Sequence, residues 1–317
     1  MKKIRLMIIT IIIILMGVIS AINKNNLEAN IPLVTSSSNA DLSFAVLGDV
    51  HENIDHFQEA IKDLYTVNPN IDALVLNGDV VDQGLDAQYD SVQNTLNKNK
   101  DLLPEIIIKN IGNHEFFNYD IKVNTKEQVK DFINKYLEFS IEEKVYHDIW
   151  IKGYHFISLG SEDGNSKTLN SITAFISDEQ LDWFEEKLQE NYEEGKPIFL
   201  FLHQPLDYGN STWIGVEQSE EIKEILSQYP EVVMFASHTH RDLTEDSVTL
   251  NKPFTIVNTG AIHYTIMPDS NKENGYRMES DYIKGVYIEV KNNNVTIKGR
   301  DFKEKQWIFT KEIMNGK

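Results

Sequence analysis

Ala73-Leu74-Val75-Leu76-Asn77-Gly78-Asp79-Val80-Val81-Asp82 is a short apolar run that breaks into a Gly-Asp step. The apolar residues Ala73 to Leu76 predict a buried strand. Gly78 then lets the backbone turn sharply and aim Asp79 out of the sheet. The same form recurs along the chain. Ser43 to Leu47 leads into Gly48-Asp49-Val50-His51, and Glu105 to Lys109 into Ile111-Gly112-Asn113-His114-Glu115. Pro197 to Leu202 leads into His203, and Val232 to Ala236 into Ser237-His238-Thr239-His240. In α/β sheets the carboxyl ends of the strands form the rim where ligands bind, so five clusters scattered in sequence converge in space.

Helical patterns separate these runs. Ile54 to Val67 and Gln88 to Leu96 complete a βαβαβ beginning, and a further helix is expected at Lys126 to Leu137. Val145 to Trp150 and His155 to Ser158 read as two strands turning at Gly153, followed by a polar loop from Ser161 to Ser171. Ser177, with Gln180 three residues on, is a capping-box start for a helix running to about Glu190, and Trp183, Phe184 and Leu188 form its core-facing stripe. Gln218 to Ser227 reads as another helix. The remainder is β-rich, with strands at Phe254 to Val257, Gly285 to Val290, Asn294 to Gly299 and Trp307 to Ile313. With no internal repeat and no second linker, residues 42–317 are expected to form one domain.

The first residues are a separate object. Lys2, Lys3 and Arg5 precede an apolar run from Leu6 to Ile22, which has no polar face and so does not suit an amphipathic surface helix. Residues 1–22 therefore read as an export signal, either a cleaved signal peptide or an N-terminal membrane anchor. Ser20 and Ala21 supply small residues where a signal peptidase could cut, while Val18 and Ile19 fit such a site poorly. Residues 23–41, polar and carrying Ser36, Ser37 and Ser38, read as a linker. The protein is thus expected to act outside the cytoplasm, secreted or held to the membrane only through this segment.

Composition narrows the partners. With 41% hydrophobic residues the chain can bury a sizeable core. It has no cysteine, so an exported form is not stapled by disulfides and any metal ligands must be His, Asp, Glu or Asn. Its formal charge of −19 becomes −22 once the three positive charges of residues 1–22 are removed. A body that acidic repels nucleic acid at long range and favours a small substrate. Ligands drawn from Asp, Asn and His suit Mn, Fe or Zn better than Ca or a thiolate-loving ion. A single carboxylate can bridge two such ions at a separation of roughly 3.5–4 Å, an arrangement that stabilises both the entering and leaving oxygens of a displacement at phosphorus.

These five blocks resemble the signature of the calcineurin-like metallophosphoesterase superfamily, which runs D-x-H, GD-x-x-D, GNH(D/E), a lone His and GH-x-H. The resemblance covers roughly residues 43 to 262. It implies an α/β fold of the four-layer αββα sandwich type, with the metals at one edge of two sheets. Carried over residue by residue, it implies that Asp49, His51 and His240 hold one transition-metal ion and Asn113, His203 and His238 a second, with Asp79 bridging them. It further implies a metal-bridging water or hydroxide as nucleophile, His114 as general acid and Asp82 as the group that holds the His114 imidazole. The activity implied is hydrolysis of a small phosphomonoester or phosphodiester.

Departures from the pattern narrow that expectation. Protein Ser/Thr phosphatases of the superfamily carry Arg beside these blocks, whereas here Gln83 follows Asp82 and Ile111 precedes Gly112. Purple acid phosphatases place a Tyr ligand where Asp82 stands. Ser237 replaces the usual Gly of the last block, which tightens that turn without removing a ligand. Two other readings compete: a phosphodiesterase of cell-envelope polymers or phospholipid head groups, suggested by the N-terminal segment, and a non-catalytic metal-binding envelope protein. His56, His147 and His155 are expected to be ordinary polar positions, with the latter two facing solvent, and His263 is a candidate for the site rim. Tyr119, Tyr208 and Trp213 lie in loops 116–125 and 204–216, where substrate choice is expected to reside.

Overall fold

A computed structural model describes residues 40–206, 215–250 and 253–314. The chain divides into Met1–Ser37 and Ser38–Lys317, and the first of these lies wholly outside the described residues, as do the expectations for residues 1–22 and nearly all of the linker. Among the described residues no helix is long and apolar enough to cross a membrane.

The first sheet begins with three parallel strands, β1 (Leu42–Leu47), β2 (Ala73–Asn77) and β3 (Ile106–Asn110). Three antiparallel strands from the end of the chain extend it beyond β1: β12 (Lys284–Lys291), β13 (Asn294–Asp301) and β14 (Gln306–Ile313), in the order β14-β13-β12-β1-β2-β3. The second sheet has the order β4-β5-β6-β7-β9-β8. Its central strands β5 (Tyr154–Ser158), β6 (Ile198–Phe201), β7 (Val232–Ala236) and β9 (Thr255–Asn258) run parallel. Its edges, β4 (His147–Ile151) and β8 (Val248–Thr249), are antiparallel. A separate hairpin pairs β10 (Thr265–Pro268) with β11 (Tyr276–Glu279).

The side-chain alternation of a strand sorts each run into two faces, and these faces account for the layers. Along β1, Phe44 and Val46 join a cluster that also takes Phe156, Phe199, Phe201 and Phe235 from the second sheet, so this core lies between the sheets. The alternate residues Ala45 and Leu47 face a different cluster, shared with Phe57 and Ile61 of α1 (Ile54–Val67), Val92 of α2 (Asp86–Lys98) and Phe132 of α3 (Lys126–Ser140). On the outer side of the second sheet, Leu200 and Met234 pack with Phe184 and Leu188 of α4 (Asp178–Gln189) and Ile222 of α5 (Ser219–Leu226). Three apolar cores separate four layers, so the fold is the αββα sandwich. Phe44 anchors the middle one, its ring centroid 4.8 Å from that of Phe199 and 4.9 Å from that of Phe156. Trp183 is only partly buried and packs against both neighbouring cores.

Three local expectations need correction. Ser177 caps α4 by accepting the Gln180 N–H at 3.2 Å, but the Gln180 side chain does not return to the cap. It turns inward instead and makes two bonds to the Gly160 backbone, N–H to Oε1 at 3.0 Å and Nε2 to O at 2.9 Å. A full capping box forms at α3, between Thr125 and Gln128. His155 does not face solvent: it is 2% exposed, stacked on Trp150 at 4.2 Å and bonded to Asp148 at 2.9 Å. Glycine before each site residue also has a different reason at different places. Gly78 does adopt a φ of +83°, but Gly112 is required by close approach, since a Cβ there would lie 2.3 Å from Asp79 Oδ1.

Candidate metal centre

The ends of β1, β2, β3, β6 and β7 deliver all five blocks to one edge of the sandwich. The turns that do so are strained. Asp49, His51, Asp79, His238 and His240 all hold φ between 47° and 66°. Non-glycine residues pay about 1–3 kcal/mol each for such conformations, a cost that persists only where surrounding structure enforces it. Ser237 contributes to that enforcement. Its hydroxyl oxygen accepts a hydrogen bond from Asn77 Nδ2 at 2.9 Å and pairs with Thr259 Oγ1 at 2.7 Å, while Asn110 Nδ2 donates to Asn77 Oδ1 at 3.0 Å. The four buried side chains link the two sheets beneath the site.

Two triads form above this layer, Asp49 with His51 and His240, and Asp79 with His203 and His238. In the first, His51 Nε2 and His240 Nε2 are 3.1 Å apart, and Asp49 Oδ1 is 3.2 Å from His240 Nε2. In the second, Asp79 Oδ2 lies 3.0 Å from His203 Nε2. The same Asp79 oxygen is 3.8 Å from His51 Nε2, so one atom addresses both triads. Its partner Oδ1 is occupied, accepting the His114 main-chain N–H at 2.8 Å. Asp49 is likewise divided, with Oδ2 accepting the His238 N–H at 3.0 Å.

The far sides of the rings fix which nitrogen faces inward. His203 Nδ1 bonds the Asn77 carbonyl at 2.8 Å and His240 Nδ1 the Tyr264 carbonyl at 3.0 Å, leaving Nε2 of each directed into the site. His51 Nδ1 is 3.4 Å from Asp82 Oδ1. Asn113, expected from the sequence as a ligand, follows the end of β3. Its Nδ2 donates to the Ser171 carbonyl at 3.2 Å, and its Oδ1 is buried without a hydrogen-bond partner. Asp49 Oδ1 and His203 Nε2 are also buried, and the polar atoms beside them are the site's own His240 Nε2 and Asp79 Oδ2. Atoms bound to one ion at about 2.1 Å lie roughly 3 Å from each other. The spacing, the buried Asn113 oxygen without a donor and the all O/N chemistry fit a pair of transition-metal ions.

Electrostatics point the same way. Burial opposes ionisation of Asp79, yet the adjacent His203, His114 and His51 hold its carboxyl well below the usual range. Burial also opposes ionisation of Asp49, and His240 and His203 again outweigh it. The same carboxylates act on the rings. Burial would lower His203, but Asp79 and Asp49 push it up to about 9. His238, buried beside His203, drops to about 4. The site demands positive charge.

His114 stands beside this centre, its ring 4.2 Å from that of His51 and partly exposed. Burial is again outweighed, here by Asp79 and Asp82, and His114 rises to about 9. The group that holds its ring is the Asp82 backbone: Nδ1 is 2.8 Å from the Asp82 carbonyl oxygen and 3.5 Å from the carboxylate. The Asp82 carboxylate reaches further, to His51 and to the Tyr119 hydroxyl, which donates to Oδ1 at 2.8 Å. Hydrogen bonds from His114, His51 and Tyr119 depress the Asp82 carboxyl strongly.

Several contributors carry weaker sequence signals or none. Glu115, next to His114, accepts three main-chain N–H groups from inside the core. Tyr264 stacks on His240 with centroids 4.0 Å apart and an interplanar angle of 19°. His263 does reach the rim, its ring 5.3 Å from that of His51. His56 supports that segment through Nδ1 and the Ile262 carbonyl at 2.9 Å. Tyr208 and Trp213 lie outside the described residues.

A family model described as calcineurin-like phosphoesterase matches residues 42–242. Among curated proteins, the chain is similar to a 3',5'-cyclic-nucleotide phosphodiesterase of Nostoc sp., 24% identical over 217 residues that cover 63% of this chain and 72% of that one. Among solved structures, a dimetal phosphatase from Danio rerio aligns with a TM-score of 0.58 and 13% identity, covering 88% of this chain and 100% of the other. A purple acid phosphatase from yellow lupin seeds aligns with a TM-score of 0.59 and 13% identity over 86% of this chain and 53% of its own. At such identities the structural likenesses speak to the fold alone.

Proposed function

The chain belongs to the calcineurin-like phosphoesterase family, and we propose that it hydrolyses a small phosphate ester at the paired triads, outside the cytoplasm. The observation that carries this reading is Asp79, one carboxylate oxygen of which lies near ligand nitrogens of both triads while the other is held by the His114 N–H. Asp49, His51 and His240 would hold one ion and Asn113, His203 and His238 the other, with Asp79 shared. When bound, such a pair supplies a water activated near neutral pH and neutralises charge on the phosphoryl oxygens.

The chain's own residues do the rest. His114 faces the partly open side of the centre, where its imidazolium can hand a proton to the departing alkoxide. The Asp82 carbonyl fixes the ring so that Nε2, not Nδ1, carries that proton outward. Phe117 borders the same side, with its ring 4.4 Å from that of His114. Gln83 and Ile111 stand where the protein Ser/Thr phosphatases of the superfamily carry the arginines that grip the phosphate. A phosphodiester is favoured over a monoester by the similarity to the Nostoc cyclic-nucleotide phosphodiesterase. The extracytoplasmic setting rests on the basic start and apolar run of residues 1–22.

The test is to reconstitute the chain with Mn, Zn or Fe and assay p-nitrophenyl phosphate, bis(p-nitrophenyl) phosphate and 3',5'-cyclic nucleotides side by side. Metal-dependent turnover that EDTA removes and that is greatest on a diester supports the reading. Turnover insensitive to metal removal refutes it. Protease accessibility of the folded body in intact cells tests its location.

A further inference from the structure

A cavity of about 650 Å³ lies between the first turns of α3 and the loop from Glu162 to Thr168. That volume is within the range of pockets that hold small organic ligands. Val129, Ile133 and Phe175 give it an apolar wall, and Lys126, Lys130 and Lys167 stand around it. None of the three lysines has an ion-pair partner among the described residues. Two carboxylates also line the cavity, but both are engaged in building the loop. Glu162 Oε2 accepts the Ser177 N–H at 2.7 Å and Gln180 Nε2 at 2.9 Å. Asp163 accepts the Gly164 N–H at 2.9 Å and the hydroxyls of Ser166 and Thr168 at 2.8 Å. Three ammonium groups against two hydrogen-bonded carboxylates give the lining a net positive formal charge on a chain whose own is −19.

The walls of this cavity are fastened to the turn that carries Asn113 and His114. Asn124, at the cavity edge and 2% exposed, donates through Nδ2 to the Phe116 carbonyl at 2.8 Å and to the Gly164 carbonyl at 3.1 Å. Gly164 lies so close to Phe116 that a Cβ there would come within 2.2 Å of the ring. Further along the same loop, Ser171 holds the Asn113 side chain. A molecule wedged between α3 and the loop therefore presses on the backbone that orients a metal ligand.

We propose that this cavity binds an organic anion, an acidic head group on a flat apolar body, and that occupancy alters catalysis through Asn124 and Ser171. The lysine stems extend the apolar wall while their ammonium groups meet the acidic head.

The experiment is calorimetric titration of the metal-loaded full chain with 2-naphthalenesulfonate, paired with turnover of bis(p-nitrophenyl) phosphate at saturation. One equivalent should bind, and the neutral 2-naphthalenemethanol should bind at least tenfold more weakly. 2-Naphthoate and 2-naphthylphosphonate should compete for that equivalent, their ranking telling a carboxylate source from a phosphoryl one. The triple variant Lys126→Gln, Lys130→Gln, Lys167→Gln changes only exposed side chains and should lose at least tenfold in affinity, and Ile133→Trp, which fills the cavity, should abolish binding. Saturation should shift wild-type turnover at least twofold and leave the triple variant unchanged. Equal binding by the triple variant, equal binding of the neutral alcohol, or unaltered turnover in a chain shown to bind would overturn the proposal. Only the turnover arm rests on the phosphoesterase reading, so failure of that reading is distinguishable from failure of the site.

Discussion

The Glu115 carboxylate accepts the main-chain N–H of Asp79 at 3.0 Å, and its other bonds, from Val80 at 2.8 Å and Gly112 at 2.7 Å, bind the second and third blocks to each other. Burial first, and then the Asp79 charge, raise the buried Glu115 carboxyl to about 7, while the bonds from Val80 and Gly112 pull against that rise. Glu115 thereby sets the position of the bridging carboxylate without facing the metals.

Glu115→Gln replaces one acceptor oxygen with a donor that meets amide N–H groups. Metal affinity should fall about 10–100-fold, as for other groups that support ligands from behind. Calorimetric titration of the metal-free chain with Zn checks this, and unchanged affinity would refute the role.

His114→Ala removes the proton donor and no ligand. It should lower kcat on a diester with a poor leaving group by about 10²–10⁴. Metal content should stay as in the wild type. The loss should shrink on bis(p-nitrophenyl) phosphate, whose leaving group needs no proton, and an equal loss on both substrates would contradict the assignment.

Asp82→Asn separates the backbone of this residue from its carboxylate. Because the Asp82 carbonyl holds His114, the ring should keep its place, while His51 and His114 each lose a charged neighbour. The variant should weaken metal binding more than it weakens proton donation, so activity should be restored in large part by excess metal. Failure of excess metal to restore it would place the carboxylate's main effect on His114.

Lys109 offers a pH test away from the metals. Burial depresses its ammonium to about 8 against an ordinary 10.5, although Nζ donates to the Phe139 carbonyl at 2.6 Å. Between those values the unfolded chain binds more protons than the folded one, so stability contributed by this group rises with pH. The cost of burying the charge is fully present below about pH 8 and relieved toward pH 10.5. Thermal melts of wild type and Lys109→Met should therefore show the wild type gaining on the variant from pH 8 to 10, and a constant difference would refute the shift.

Much of the fold was legible because it rests on alternation and on breaks in it. Ser43 to Leu47 and Ala73 to Leu76 present two apolar faces each, and each ends in a Gly-Asp step, which located both the sheet and the rim. The hairpin of β10 and β11 was not legible. Its strands have four residues each, partly buried in β10 and mostly exposed in β11, so no apolar period marks them. The proposed ligands were readable as side chains of distinctive chemistry. What positions them was less so, since Ser171, Asn77 and Tyr264 act through main-chain carbonyls that any residue possesses. Ser237 is visible in the sequence as a replacement for the usual Gly, but the link its hydroxyl makes between the sheets through Asn77 and Thr259 is not.

Anomalous diffraction from crystals of the Zn- or Mn-loaded chain shows whether one carboxylate is shared between two metal ions. Two anomalous peaks are predicted, separated by roughly 3.5–4 Å, one among Asp49, His51 and His240, the other among Asn113, His203 and His238, with Asp79 reaching both. A single peak, or a pair with Asp79 bound to only one, would contradict the account.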